Sequence, residues 1–255
     1  MKFREVLGID FGGSGIKGAP VDTKKGKLLE KRIRIDTPSP ATPEDVTSVI
    51  KEIVDQFQWK GTIGVAFPSV VQNGIIKTAA NIDKSWIGQN ASELIKSKTN
   101  LSAFVVNDAD AAGMAEIKFG AGKDKLGSVL LVTVGTGIGS VLFTRGKLVM
   151  NTELGHIYLK SGIDAEEYAS DAVRKKENLN WKEWAKRFDI YLHEMHRLFW
   201  PELIIIGGGV SKKPENFVQY LTVDSEIVMA ESKNDAGIIG AALAAKANRK
   251  MPGWL

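Results

Sequence analysis

The sequence predicts an α/β protein made by internal duplication. Two observations carry this. Read from hydrophobic periodicity, the N-terminal half runs β-β-β-α-β-α-β-α. The second half then begins the same way: "GGSGIKG" at 12–18 is answered by "VGTGIGS" at 134–140, and "KGKLLE" by "RGKLVM", each within a strand, glycine turn, strand, turn, strand run.

The elements follow in order. "REVLGID" and "IKGAPVD" read as strands and "KLLEKRIRI" as a third, with "TKKGK" and its Gly26 as the hairpin turn before it. Residues 42–57 read as a helix. Thr42 is its N-cap, Pro43 takes the first helical position, and Val46, Val49, Ile50, Ile53, Val54 and Phe57 fall on one face. "TIGVAF" is a strand, "ASELIKSKT" a short helix, "AFVVND" a strand and "ADAAGMAEIKF" a helix. After the repeated strands of 128–150 comes a long helix, 181–200. Its stripe of Trp181, Trp184, Ala185, Phe188, Tyr191, Leu192, Met195, Leu198 and Phe199 is core or subunit interface rather than a ligand box. "ELIIIGGGV" is a buried strand ending in glycines, and "AGIIGAALAAKANR" a terminal helix.

Bulk properties narrow the class. At 255 residues, 44% hydrophobic and 25% charged, the composition is that of a globular protein with a real core. No apolar run approaches the roughly 18 residues of a membrane span, and the N-terminus lacks the long apolar region of a signal peptide. With no Cys there is no disulfide framework and no thiolate metal site. A cytoplasmic protein, with no membrane and no nucleic-acid partner, is expected. The net charge of +4 favours an anionic partner such as phosphate, polyphosphate or nucleic acid, though a solvated lysine-rich surface is the preferred account of it.

"GIDFGGSGIKGAP" matches G-x-G-x-x-G at Gly13, Gly15 and Gly18, and Asp36 even supplies the acidic residue of a dinucleotide site. A dinucleotide site needs a helix after the glycines. Here Pro20, Gly26 and the polar "DTKKGK" give strand and hairpin instead, so a nicotinamide site is rejected. The P-loop pattern is absent. What remains is a β-hairpin whose turn offers glycine N–H groups, the Ser14 hydroxyl and Lys17 to phosphate oxygens. The copy at Gly135, Thr136 and Gly137 offers a second cradle.

Two such hairpins resemble the sugar kinase/actin-like ATPase (ribonuclease H-like) fold, which has duplicated β-β-β-α-β-α-β-α domains and a central cleft. With "VVNDADAAGMAE", "TAANIDKSWIG", "LLVTVGTGIGS", "ELGHI", "EEYAS" and "IIIGGGVS", the chain resembles the ROK family of sugar kinases, in its polyphosphate-using glucokinase branch. The resemblance implies an N-terminal domain over 1–108, completed by a C-terminal helix at 236–248, and a second domain over 109–235. It implies phosphoryl transfer to glucose from polyphosphate or ATP, with Mg²⁺ and without structural zinc, by a homodimer. An ATP-only ROK glucokinase and a non-catalytic, sugar-sensing ROK regulator are the alternatives. The regulators carry a helix-turn-helix ahead of the kinase-like part, and here the first phosphate strand starts within the first ten residues.

The resemblance also implies roles. Asp108 is the general base, although Asp at a strand-to-helix junction is also a common N-cap. Asn107, Glu153, His156 and Glu166 bind the sugar together with Asp108, and Glu166 is preferred to Glu167 by motif register alone. Asp10 orders Mg²⁺, directly or through water; its plainer reading is a turn residue at a strand end. Gly12, Gly13, Ser14, Lys17, Gly135, Thr136 and Gly137 hold phosphate. Gly207, Gly208 and Gly209 approach a nucleotide or simply make a tight turn. Two departures from the family stand out. The cysteine cluster that many members carry after the His of "ELGH" is missing from "IYLKSGIDAE", which leaves open what fixes His156. Pro68-Ser69 stands where Pro-Gly is usual. Trp86 is read as a packing aromatic, and the loop around it as shaping the sugar pocket.

Overall fold

A computed structural model describes residues 4–80, 82–232 and 235–250, without the side chains of 249 and 250. Asn81 of the "TAANID" loop lies outside them. The chain divides into two compact units, Met1–Ala115 with Ser232–Leu255 and Glu116–Glu231, within their described residues.

The first unit contains β1 (Glu5–Gly12), β2 (Gly15–Asp22), β3 (Lys27–Leu28), β4 (Ile33–Ile35), α1 (Pro43–Gln56), β5 (Ile63–Phe67), the small β6 (Val71–Gln72) and β7 (Ile75–Ile76) hairpin, α2 (Ala91–Thr99), β8 (Ala103–Asn107) and the start of α3 (Asp108–Phe119). Its main sheet has the order β3-β2-β1-β5-β8, with β4 also on β2. β1 and β2 pair antiparallel from Glu5↔Asp22 to Gly12↔Gly15, while β1, β5 and β8 run parallel. Leu7, Ile9 and Phe11 alternate along β1 and pack with Ile50, Ile53 and Val54 of α1. Thr42 caps α1 as read, its hydroxyl accepting from the Asp45 amide.

The predicted third strand is broken in two, and Pro20 gives the reason. The Pro20 carbonyl accepts from the Leu29 amide at 2.8 Å, so this edge of β2 faces the third strand. Proline has no N–H to return the bond. Between Val21↔Leu28 and Gly18↔Ile33 the third strand uses more residues than β2, and Leu29–Arg32 leave the ladder. After the glycine hairpin comes a strand, β2, as the rejection of the nicotinamide site requires.

The second unit holds the rest of α3, then β9 (Ser128–Val134), β10 (Ile138–Thr144), β11 (Lys147–Val149), α4 (Ala165–Ala169), α5 (Asp171–Lys176), α6 (Trp181–Phe199), β12 (Leu203–Gly208) and β13 (Glu226–Met229). The sheet order is β11-β10-β9-β12-β13. Counted within each unit, both sheets read third, second, first, fourth, fifth, with the first three antiparallel and the last three parallel. The duplication therefore extends to β12 and β13, where the sequences no longer match. Trp184, Ala185, Phe188, Tyr191, Leu192 and Met195 of α6 are buried with Phe217, which makes this stripe core. Phe199, the predicted end of the stripe, packs against the same core, while Leu198 is exposed and Trp200 lies past the helix at φ 45°.

Helix α7 (Ala236–Lys250) returns to the first unit and lies against β1 and β5. Its small residues allow that approach. A Cβ on Gly8 would run into the Ile238 carbonyl, one on Gly64 into the Ala241 carbonyl, and one on Gly240 into the Ala111 carbonyl.

Candidate functional site

The glycine motifs sit at one end of each sheet. β1, β5 and β8 run parallel, and their C-terminal ends bring Gly12, Phe67 and Asn107 to the same edge, where open α/β sheets hold ligands.

In the first unit Asp10 lies inside β1, opposite Lys17 on β2, and the Lys17 ammonium stands 3.5 Å from its carboxylate. Burial pushes the Asp10 carboxyl above its ordinary value; the Lys17 charge works the other way but does not cancel it. The first turn of α7 closes over this group, with Gly237 so near that an added Cβ would stand 2.8 Å from the Asp10 carboxyl carbon. β1 and β2 are joined by the two residues Gly13 and Ser14, both exposed. Two residues that the sequence did not flag brace them. Arg34 donates to the Ser14 carbonyl at 2.6 Å, and the Thr37 hydroxyl to the Gly12 carbonyl at 2.6 Å.

Asn107 ends β8, is buried, and serves its own neighbourhood. Its amide oxygen accepts from Ala109 N at 2.9 Å and Asp110 N at 3.1 Å, while its NH2 group donates to the Ser69 carbonyl at 3.1 Å. The N-cap duty weighed for Asp108 thus falls chiefly to Asn107, and Asp108 opens α3 as an exposed carboxylate whose Oδ1 also accepts from Ala109 N at 2.8 Å. Trp86 is fully buried, donates to the Ala41 carbonyl at 2.9 Å and meets Phe67 edge-on, so it packs.

In the second unit the loop is longer: Val134 pairs Ile138, and Gly135 N donates to Gly137 O at 2.9 Å across Thr136. Glu166 lies against this turn. Its carboxylate accepts from Ile138 N at 2.8 Å and occupies the space that a Cβ on Gly137 would need. Its neighbour Glu167 is exposed. Gly207 and Gly208 belong to β12 and pair Thr133 and Val134; Gly208, at φ +80°, packs on the Val134 backbone, and Gly209 follows exposed. The three glycines therefore adjoin the hairpin through β9.

Glu153 precedes the short helical turn Leu154–His156 and His156 ends it, and both are exposed. His156 Nδ1 is 3.1 Å from Asp164 Oδ2. Burial opposes its protonation, but the carboxylates of Asp164, Glu166 and Glu153 together raise its pKa above the ordinary value. Asp164, which the sequence reading passed over, caps α4, its Oδ1 accepting from Glu166 N at 2.9 Å. Its signal was present as "DAEE", an Asp directly before acidic first-turn residues. The segment that carries cysteines in many ROK kinases is here a tight backbone hairpin: Leu159 N donates to Ile163 O, Gly162 turns at φ +78°, and Tyr158 bridges Asp164.

Known proteins agree with this layout. The chain is 46% identical to a polyphosphate glucokinase of Mycobacterium tuberculosis over 96% of its own length and 92% of that protein. The crystal structure of an inorganic polyphosphate/ATP-glucomannokinase from Arthrobacter sp. strain KM superposes with a TM-score of 0.88 at 43% identity, covering 96% of this chain and 99% of that one. A ROK family glucokinase from Streptomyces griseus, solved with glucose and AMPPNP, gives a TM-score of 0.80 at 24% identity over 95% of this chain and 99% of that one, a likeness of fold alone. These are actin-like ATPase folds, as is this one. The match to the ROK family over residues 6–178 takes in both glycine hairpins, the Asn107–Asp108 corner and the surroundings of His156, and the chain belongs to that family.

Proposed function

We propose that the protein transfers a phosphoryl group from inorganic polyphosphate to the 6-hydroxyl of glucose, yielding glucose 6-phosphate, and that ATP serves as an alternative donor. The observation that carries this is the 46% identity to a polyphosphate glucokinase across 96% of the chain. Asp108, exposed at the start of α3, takes the proton of the 6-hydroxyl as the hydroxyl oxygen forms the bond to phosphorus, and the bridging oxygen departs on the shortened polyphosphate. Glu153, His156 and Glu166 hold the sugar hydroxyls, and Asn107 contributes its second amide hydrogen. The two hairpins, with Lys17, receive the donor phosphates. Gly207–Gly209 lie beside the second hairpin, where an adenine nucleotide would meet backbone.

Magnesium fits the Asp10 corner: a hard carboxylate oxygen, penalised by burial and only partly offset by Lys17 at 3.5 Å and by the Arg32 charge, is stabilised by a cation. Among the described residues no cluster of three or more metal-ligating side chains occurs, and Mg²⁺ bound chiefly through substrate phosphates needs only one or two carboxylates. Mg²⁺ bound there neutralises charge on the donor phosphates. A homodimer and a cytoplasmic location belong to the same reading. Ile190, Leu198 and Trp200, exposed on and just beyond α6, are the apolar surface offered for pairing, and no described helix is long and apolar enough to cross a membrane.

The test is glucose 6-phosphate formation from glucose and Mg²⁺ with long-chain polyphosphate or with ATP. Turnover with polyphosphate is expected. Turnover with ATP alone would make the protein an ordinary ROK glucokinase, and none with either donor would leave a sugar-sensing protein.

A further inference from the structure

We infer that Asp164 is the positioning residue of the sugar site, binding His156 and Glu166 into one unit. Each of its carboxylate oxygens has its own task. Oδ1 accepts the Glu166 and Glu167 amides at 2.9 and 3.4 Å and so starts the helix that carries Glu166. Oδ2 meets His156 Nδ1 at 3.1 Å. The side chain is only 19% exposed, and the Tyr158–Asp164 bridge holds its backbone. The arrangement places the proton on Nδ1 and turns Nε2 away from Asp164, toward a ligand. Glu166 in turn reaches the Ile138 amide, so a continuous line of bonds runs from His156 through Asp164 and α4 to the second glycine hairpin. The charged groups acting on His156 are Asp164 from the hairpin, Glu166 from α4 and Glu153 from the preceding turn. The inference answers what holds His156 in a chain without a cysteine cluster.

It rests on the proposed glucose site, and two readouts keep the two apart. Asp164→Ser retains a good N-cap but cannot reach His156. Its KM for glucose is expected to rise by about tenfold or more, because a misplaced binding group is costly, while its KM for polyphosphate stays within about twofold. The chain has three histidines, so proton NMR titration resolves them, and His156→Gln identifies the His156 signal. In Asp164→Ser the His156 titration should move to lower pH, while His193 and His196, bonded to Thr222 and Ser225, stay in place. Should the serine variant fold poorly, the nearly isosteric Asp164→Asn serves, since its one acceptor oxygen must choose between two tasks. An unchanged glucose KM with an unmoved His156 titration would overturn the inference. So would an equal rise in both KM values, which marks a general structural role. If the unsubstituted protein makes no glucose 6-phosphate, the functional proposal falls, and the titration still decides whether Asp164 governs His156.

Discussion

Asp108 and Asp10 stand at the same end of the first sheet in opposite surroundings. Asp108 is exposed, as the proposed role of base to a substrate hydroxyl requires. Asp108→Asn is nearly isosteric and leaves the Asn107 cap intact, so the thermal midpoint should hold while turnover falls by about 10²–10⁴-fold, the usual cost of losing a positioned base. Turnover close to the original would remove Asp108 from that role. Asp10 is mostly buried, and its raised pKa means that the folded chain holds this proton more tightly than the unfolded one. Its ionised form therefore costs stability as pH rises above the ordinary aspartate value of about 3.9. Asp10→Asn should accordingly raise the melting temperature at pH 7, with the gain fading toward acid, while abolishing Mg²⁺-supported phosphoryl transfer. A lower melting temperature at pH 7 would contradict this account. Both aspartates could be picked out as candidates from the sequence because each sits inside a contiguous motif. Arg34, Thr37 and Asp164 were not, since their partners lie at Ser14, Gly12 and His156, outside any local pattern.

The same contrast holds for elements. α1 was readable from its long apolar stripe and its cap, α6 from its stripe alone. α4, α5 and β13 have five, six and four residues, too few to establish a period. The broken third strand depended on which edge of β2 Pro20 presents, which only pairing reveals. The glycines divide into two kinds, and substitution separates them. Gly240→Ala sets a methyl group against the Ala111 backbone, which cannot swing aside, and should cost about 1–3 kcal/mol by chemical denaturation. Gly13→Ala meets open space at the first hairpin tip and should leave the denaturation midpoint unchanged, its effect confined to donor KM. Equal destabilisation by both would show that the hairpin glycine is structural.

At the scale of the whole molecule, the lysine- and arginine-rich runs at 24–25, 123–125 and 174–176 take different places within their own units. Lys24 and Lys25 follow β2 and Lys125 precedes β9, which places them at the ends of their sheets away from the glycine hairpins. Lys125 is further occupied by Glu226 at 2.6 Å. Arg174 pairs with Asp171 and covers the Trp181 ring, and Lys175 also pairs with Asp171. Of these runs, α5 adjoins the hairpin of its own unit, through Ala172 N and Gly135 O. The salt dependence of polyphosphate KM should therefore be shallow, only modestly steeper than that of ATP, between low and high KCl. A steep dependence would call for a cationic path elsewhere, and Lys175→Gln with Lys176→Gln would then show whether α5 belongs to it.

The return of α7 to the first unit also sets an order of events during synthesis. β1 and β5 leave the ribosome early, yet the face on which α7 lies, marked by Gly8 and Gly64, is covered only after all of Glu116–Glu231 has emerged. At about 5–20 residues per second, that sheet waits roughly ten to thirty seconds for its helix. The second unit, continuous in sequence, can close first. A chain truncated before residue 236 and released from the ribosome should thus protect the second unit from protease while leaving the first open to cleavage.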